Sequence, residues 1–181
     1  ATGAGKTTIL QLIVRNYDIQ KGQILIDGID IKKIKLSSLR GRIGQMLQDV
    51  FLFSGTIADN IRLNDDTITD EEILEACKEV NAIHFINKQP DGIYAKVGER
   101  GNNLSLGERQ LISFARVLVH KPKLMILDEA TSNIDTETET LIQDTLEKVI
   151  KSNTMIMVAH RLSTIQHATK IFVFDKGRII E

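Results

Sequence analysis

At 181 residues the chain has the size of one domain, long enough to bury most of its apolar surface in a single core. Its 23 Lys and Arg residues balance 24 Asp and Glu, and a net charge of −1 gives no electrostatic reason to expect nucleic acid as a partner. Cys77 is the one cysteine, which excludes an internal disulfide and suits a reducing compartment, and no apolar run approaches the roughly 18 residues of a membrane span. No signal peptide is read at the start, and the chain is expected to be soluble by itself.

From Lys6 the spacing of Ile9, Leu10, Leu12, Ile13 and Val14 predicts a helix with a broad apolar face. Gly22 opens a β-like run over Gln23–Asp27 that Gly28 closes, and Ile43–Leu47 is a short strand with Gln48 at its end. Between them Lys32–Arg42 is the densest basic stretch. Ile31, Ile34, Leu36 and Leu39 interrupt it, so it is expected to be a solvated connection. Thr56–Ile61 and Asp70–Val80 read as helices, the second capped by Thr69 or Asp70 with Glu71 and Glu72 in its first turn. Cys77 lies in the second, where a small apolar helix residue is the expected role. Gln89-Pro90-Asp91-Gly92 marks a turn.

A helix over Gly107–Val119 stops before Pro122. Strand Leu124–Asp128, helix Glu137–Ile150 and strand Thr154–Val158 follow, then a short helix after His160, strand Ile171–Phe174, a turn at Lys176-Gly177 and strand Arg178–Ile180. Alternating strands and helices predict an α/β fold with a mainly parallel sheet flanked by helices. The mostly helical middle, about 50–120, is expected to form a lobe of its own, set into a core made of 1–49 and 121–181.

Three stretches carry chemistry. Gly3-Ala4-Gly5-Lys6-Thr7-Thr8 fits the end of a phosphate-binding loop, Gly-x4-Gly-Lys-Ser/Thr, in which backbone N–H groups and the following helix N-terminus cradle phosphate oxygens. Lys6 would add a point charge and the Thr7 hydroxyl would ligate Mg²⁺. The plain alternative is a flexible glycine-rich terminus. Leu124–Leu127 is an apolar run that presents two carboxylates at its end, Asp128 to hold Mg²⁺ through water and Glu129 to take a proton from an attacking water. The plain alternative there is a strand followed by solvated acids. Between the two, Ser105-Leu106-Gly107-Glu108 fits a capping box, with Ser105 as N-cap and Glu108 reaching back. A capped helix N-terminus is also an anion site.

Leu104-Ser105-Leu106-Gly107-Glu108-Arg109-Gln110 and its continuation Leu111-Ile112-Ser113-Phe114-Ala115-Arg116 closely resemble the signature segment of the ATP-binding cassette (ABC) ATPases. Together with the other two stretches this resemblance covers essentially all 181 residues. It implies a P-loop NTPase core with a helical subdomain, ATP and Mg²⁺ as ligands, and ATP hydrolysis completed by a second ABC ATPase domain. Ser105 and Gly107 of one copy would then close over the γ-phosphate held by the other. Gln48 resembles the glutamine that touches Mg²⁺ or the water, Asp135 the aspartate of the D-loop, and His160 the switch histidine on the γ-phosphate. His84, His120 and His167 have no such context and are expected at the surface. Leu106 and Glu108 depart from the family's Leu-Ser-Gly-Gly-Gln, and Asn133 and Ile134 from its commoner Ala and Leu.

Gly98-Glu99-Arg100-Gly101 and Gln48–Ile57 resemble segments of ABC exporters, which implies a transmembrane domain as partner, fused upstream, and work at the cytoplasmic face of the cell membrane. Phe51 and Phe53 are either core residues or, if exposed, the wall of a pocket for a partner helix. The family domain begins earlier than Ala1, so the first phosphate-loop Gly, the strand presenting that loop and a β-rich lobe with an adenine-stacking aromatic are expected upstream. Residues 1–181 alone are expected to bind and hydrolyse ATP weakly or not at all. Two other readings compete with export: a soluble ABC ATPase acting on nucleic acid or ribosomes, and a non-catalytic, ATP-gated dimerisation module.

Overall fold

The computed structural model describes residues 4–46, 49–128, 140, 142, 144–146, 149, 154–158 and 168–181. Its centre is a parallel three-stranded sheet of β3 (Ile43–Met46), β6 (Leu124–Asp128) and β7 (Thr154–Val158), with β6 in the middle. Ile43 pairs with Leu124 and Met46 with Leu127, while Leu124 pairs with Thr154 and Asp128 with Val158. Alternate side chains of a strand leave opposite faces, and β6 uses both. Ile126, wholly buried, packs with Leu10 and Val14 of the first helical stretch, whereas Met125 and Leu127 enter the larger core beneath the other helices. A strand covered on both sides needs a continuous apolar run, which is what Leu124–Leu127 supplies.

The elements before β3 are helix α1 (Lys6–Ile13), hairpin β1 (Leu25–Ile26) with β2 (Ile29–Asp30), and the single helical turn α2 (Leu36–Arg40). The middle of the chain holds β4 (Gly55–Thr56), α3 (Ile57–Arg62), α4 (Asp70–Glu79), α5 (Ile83–Ile86), β5 (Lys96–Val97) and α6 (Leu106–Val119), with β4 and β5 paired antiparallel. Three of these helices start on capping boxes: Thr56 with Asp59, Thr69 with Glu72, and Ser105 with Glu108. Each box satisfies two backbone N–H groups that a helix start would otherwise leave without partners. The largest apolar cluster runs from Met46 and Met125 through Ile57, Ile73 and Ile112 to Ile142. It therefore takes in residues from both of the parts expected from sequence. Cys77 lies inside it, wholly buried, and burial pushes its thiol up to about 12, the behaviour of a small apolar residue. Hairpin β8 (Phe174–Asp175) with β9 (Arg178–Ile179) ends the described chain.

Most expected elements are present with ends shifted by one or two residues; α6, for example, begins at Leu106 and α4 is capped by Thr69. Two expected strands are shorter. Gln23–Asp27 pairs only at Leu25–Ile26, and Ile171–Phe174 joins a ladder only at Phe174, leaving Ile171 and Phe172 exposed. An apolar run becomes strand only where a neighbour takes its N–H and C=O groups, and Val173 instead bonds irregularly, donating to Glu181 and accepting from Ile180. The helix expected over Glu137–Ile150 is helical at its described positions, and the short helix after His160 lies outside the described residues. Among the described residues, no helix is long and apolar enough to cross a membrane.

Gly44 sets how closely α6 can approach the sheet. A Cβ there would stand 2.4 Å from Val117 Cγ1 and 2.9 Å from Pro122 Cγ. Gly44→Ala is expected to lower stability by about 1–3 kcal/mol, the usual cost of an overpacked core, read as a lower denaturation midpoint. An unchanged midpoint would mean that Val117 and Pro122 have room to retreat, and would remove Gly44 as a packing constraint.

Candidate functional site

The loop before α1 is shaped by Gly5, which takes the N-cap place at φ 96° and ψ 6°, a left-handed conformation that a residue with a Cβ rarely adopts. Ala4 behind it is buried, and its carbonyl accepts a 3.0 Å hydrogen bond from the N–H of Gly177 in the β8–β9 turn. That turn is in ordinary van der Waals reach: a Cβ on Gly5 would lie 3.6 Å from Gly177 Cα. Lys6 and Thr7 follow as the first residues of α1, so the helix N-terminus opens where their backbone N–H groups gather.

From the other side β6 brings Asp128 to the same place. Thr7 Oγ1 donates to Asp128 Oδ2 at 3.1 Å, although the two residues are 121 positions apart in the chain. Thr7 is exposed and Asp128 half-buried, so the pair faces outward at the carboxyl end of the sheet, where open α/β sheets bind ligands. A hydroxyl and one carboxylate are hard oxygen donors, and Mg²⁺ is commonly held by one or two protein oxygens while phosphate and water supply the rest. The donor set fits that ion. Among the described residues there is no group of three or more His, Cys, Asp or Glu that could cage a metal on protein ligands alone.

The second cluster lies at the start of α6. Ser105, exposed and extended at φ −63° and ψ 162°, accepts from the Glu108 N–H at 3.2 Å, while Glu108 Oε2 accepts from the Ser105 N–H at 2.8 Å. Gly107 is buried. Arg109 ties this start to the preceding loop, with Nη1 donating to the carbonyls of Gly101 and Leu104 at 3.2 and 3.0 Å. Gly101, at φ 68°, leaves no room for a side chain: its Cβ would meet Arg109 Cδ at 2.9 Å and Leu52 Cδ1 at 3.0 Å. Asn103 holds the other side of the loop, accepting from the Gly98 N–H at 2.7 Å and donating to the Lys96 carbonyl at 2.9 Å. Glu99 stays exposed on its outside.

Of the residues singled out from sequence, the structure brings Ala4, Gly5, Lys6, Thr7, Thr8 and Asp128 to one end of the sheet and holds Ser105 and Gly107 at the start of α6. Among the described residues no hydrogen bond joins those two groups. Gly3, Gln48, Glu129, Asp135 and His160 lie outside the described residues, as does His167; His84 and His120 are exposed. Phe51 and Phe53 are 50% and 55% exposed and meet edge to face at 5.0 Å, an aromatic pair turned to the outside. In the basic stretch, Arg40 is engaged with the carbonyls of Val14 and Arg15 and with Asn16 Oδ1. The turn expected at Lys176-Gly177 is present, but two contacts were not read from sequence: its bond to Ala4, and that of a buried Asn60 to Arg116 at 3.2 Å. An asparagine inside the Thr56–Ile61 helix was the available signal for the second, because it is a poor helix former unless its amide has work.

The comparisons agree with this arrangement. The family described as ABC transporter matches residues 1–132. Over 180 residues the chain is 53% identical to the "Uncharacterized ABC transporter ATP-binding protein YknV" of Bacillus subtilis, covering 99% of this chain and 30% of that protein. It is 52% identical to the "Probable multidrug resistance ABC transporter ATP-binding/permease protein YheH" of the same organism, covering 99% of this chain and 27% of the relative. A solved bacterial Atm1-family ABC exporter with ATP bound superposes on the whole chain at a TM-score of 0.92 with 44% identity, over 32% of the solved chain. The chain thus spans about a third or less of these relatives. A strand-end aspartate bonded to the threonine of a Gly-Lys-Thr helix start, a capped helix at Ser105 and a family match over 1–132 have one reading: the chain belongs to the ABC transporter family.

Proposed function

We propose that this chain binds and hydrolyses ATP to power export of a substrate across a membrane, as the nucleotide-binding part of an ABC exporter. The observation that carries the reading is the 3.1 Å contact between Thr7 and Asp128, which joins the phosphate loop to the carboxylate strand. The names of the relatives, ATP-binding/permease proteins and an exporter with ATP bound, support it. In this reading residues 1–49 and 121–181 form the nucleotide core and about 50–120 the helical part that bears the signature.

The phosphates would rest on the N-terminus of α1, cradled by backbone N–H groups from Gly3 to Thr8, with the Lys6 ammonium against the β- and γ-oxygens. Thr7, Gln48 and Asp128 would hold Mg²⁺, which when bound offsets charge on those oxygens. Glu129 would orient a water and take its proton as the water oxygen attacks the γ-phosphorus. The bond to the bridging oxygen then breaks, and ADP and phosphate leave. His160 would steady the γ-phosphate. Ser105 and Gly107 of a second copy or a related domain would close the site, with Asp135 at the junction. Catalysis of this kind is mostly positioning and charge stabilisation, and it is complete only when the two halves meet. The exposed Phe51–Phe53 edge and the Glu99 loop would face a transmembrane domain, with this chain at the cytoplasmic side of the membrane.

Two substitutions test the assignment in the complete transporter. Glu129→Gln is expected to cut turnover roughly 10²–10⁴-fold, the range of a positioned base, while nucleotide titration finds ATP affinity kept. Near-normal turnover would remove Glu129 from that role. Ser105→Ala is expected to cost about 1 kcal/mol of stability through the lost cap, and also to weaken ATP-driven dimerisation. Dimerisation at the wild-type ATP concentration, measured by sedimentation, would leave Ser105 a helix cap only.

A further inference from the structure

Ser105 caps the start of helix α6, and about 16 Å further along, at 1.5 Å per residue, stands Arg116. The half-buried guanidinium donates to three carbonyl-type oxygens at once: Nε to the Asn60 carbonyl at 2.7 Å, Nη2 to Asn60 Oδ1 at 3.2 Å, and Nη1 to the Phe51 carbonyl at 3.1 Å. Asn60, only 1% exposed, completes the group. Its Oδ1 also accepts from the Phe53 N–H at 2.8 Å, and its Nδ2 donates to the carbonyls of Phe53 at 2.8 Å and Thr56 at 3.0 Å. The amide can face only one way. Exchanging O and N would set an NH₂ against two donors and an oxygen against two carbonyls.

Among the described residues no carboxylate forms an ion pair with Arg116. Burial pulls its pKa below the ordinary arginine value, because a cation withdrawn from water without a counter-charge is disfavoured. An apolar side chain would pack α6 on α3 without that penalty. What the guanidinium adds is geometry: a rigid planar fork that fixes several acceptors at once. The acceptors it fixes belong to the loop that displays Phe51 and Phe53, and to the helix that follows it.

We propose that Arg116 and Asn60 are positioning residues that make the exposed Phe51–Phe53 edge and the Ser105 end of α6 move as one body. A partner seated on the aromatic pair then biases where Ser105 and Gly107 stand, and nucleotide under Ser105 and Gly107 biases the aromatic edge in return, since coupling between two sites is reciprocal. Seven residues separate Arg109 from Arg116, two turns of one helix, so the same face of α6 grips the Glu99 loop near its start and the aromatic loop further on. The inference rests on the reading of Ser105 and Gly107 as nucleotide contacts.

The test is amide hydrogen exchange on the intact transporter in lipid nanodiscs, with and without Mg·ATP, in the wild type and in Arg116→Lys. Lysine keeps the charge but cannot reach three acceptors. The expected result is that ATP protects both 105–108 and Phe53 in the wild type. In Arg116→Lys, protection at 105–108 stays while the ATP effect at Phe53 falls at least about fivefold, the low end of ordinary coupling between sites. Equal ATP protection at Phe53 in both proteins, or its absence there in the wild type, overturns the link. Loss at both ends with an unchanged melting midpoint overturns it as well, since Arg116 would then act at the nucleotide end itself. Absence of protection at 105–108 in the wild type removes the nucleotide reading and the link with it, an outcome distinct from failure of the link alone. If Arg116→Lys does not fold, Asn60→Asp serves. It keeps the acceptors for Arg116 and the Phe53 N–H but loses the two donations, and the same loss of ATP protection at Phe53 is expected.

Discussion

Burial of β6 on both faces is the constraint from which the rest of the arrangement follows. Ile126 is held by Leu10 and Val14 on one side, while Met125 and Leu127 are held by the core under α6 on the other. Apolar contact has no direction of its own, but a strand's alternation turns it into geometry, because each residue must leave by its own face. With the strand fixed, Asp128 is delivered to the sheet's carboxyl end beside the start of α1, and the Thr7 hydroxyl lies within hydrogen-bond reach. Neither residue has a reason of its own to be there. Both are carried by the burial behind them.

The helical part is fixed differently. Its apolar contacts are supplemented by polar groups whose partners are nearly all backbone: the Arg109 bonds to Gly101 and Leu104, the Asn103 bridge across 96–98, and the Asn60–Arg116 cluster. Apolar packing tolerates some sliding, whereas a buried polar group that loses its partner bears the full cost of desolvation. Loops that must stand at a set position relative to a helix are therefore better held by the second means. Here the two loops so held are the ones that display Glu99 and the Phe51–Phe53 pair.

Sequence reading reached the parallel sheet, α6 with its capping box, and the start of α1, because each rests on local chemistry written in consecutive residues: an apolar run, a Ser-x-x-Glu spacing, a Gly-Lys-Thr turn. The short ladders were less legible. Gln23–Asp27 and Ile171–Phe174 have strand-like composition, but whether such a run becomes strand depends on a neighbour elsewhere in the chain. The Lys176-Gly177 turn was legible but its seat against Ala4 was not, and the partners of Asn60 and Arg116 were not, for the same reason: these bonds join residues far apart in sequence, mostly through backbone atoms that any residue type provides. The exposure of Phe51 and Phe53 also could not be read locally, since an aromatic pair flanked by apolar residues has the same composition in a core and at a docking edge.

The substitution of Glu108 for the family's glutamine can be weighed on the geometry of the cap. A free carboxylate at the start of α6 would repel an approaching phosphate, but this one is folded back onto the Ser105 N–H at 2.8 Å, where the helix N-terminus already favours an anion. The box occupies the N–H groups of Ser105 and Glu108 and one lone pair of the Ser105 hydroxyl. It leaves the hydroxyl proton able to donate, and among the described residues the N–H groups of Leu106 and Gly107 have no partner. Those three donors are what an oxyanion at a helix start needs. Capping and phosphate contact therefore draw on different atoms of the same turn, and the acid at position 108 holds that turn in shape without using the groups that would meet the ligand.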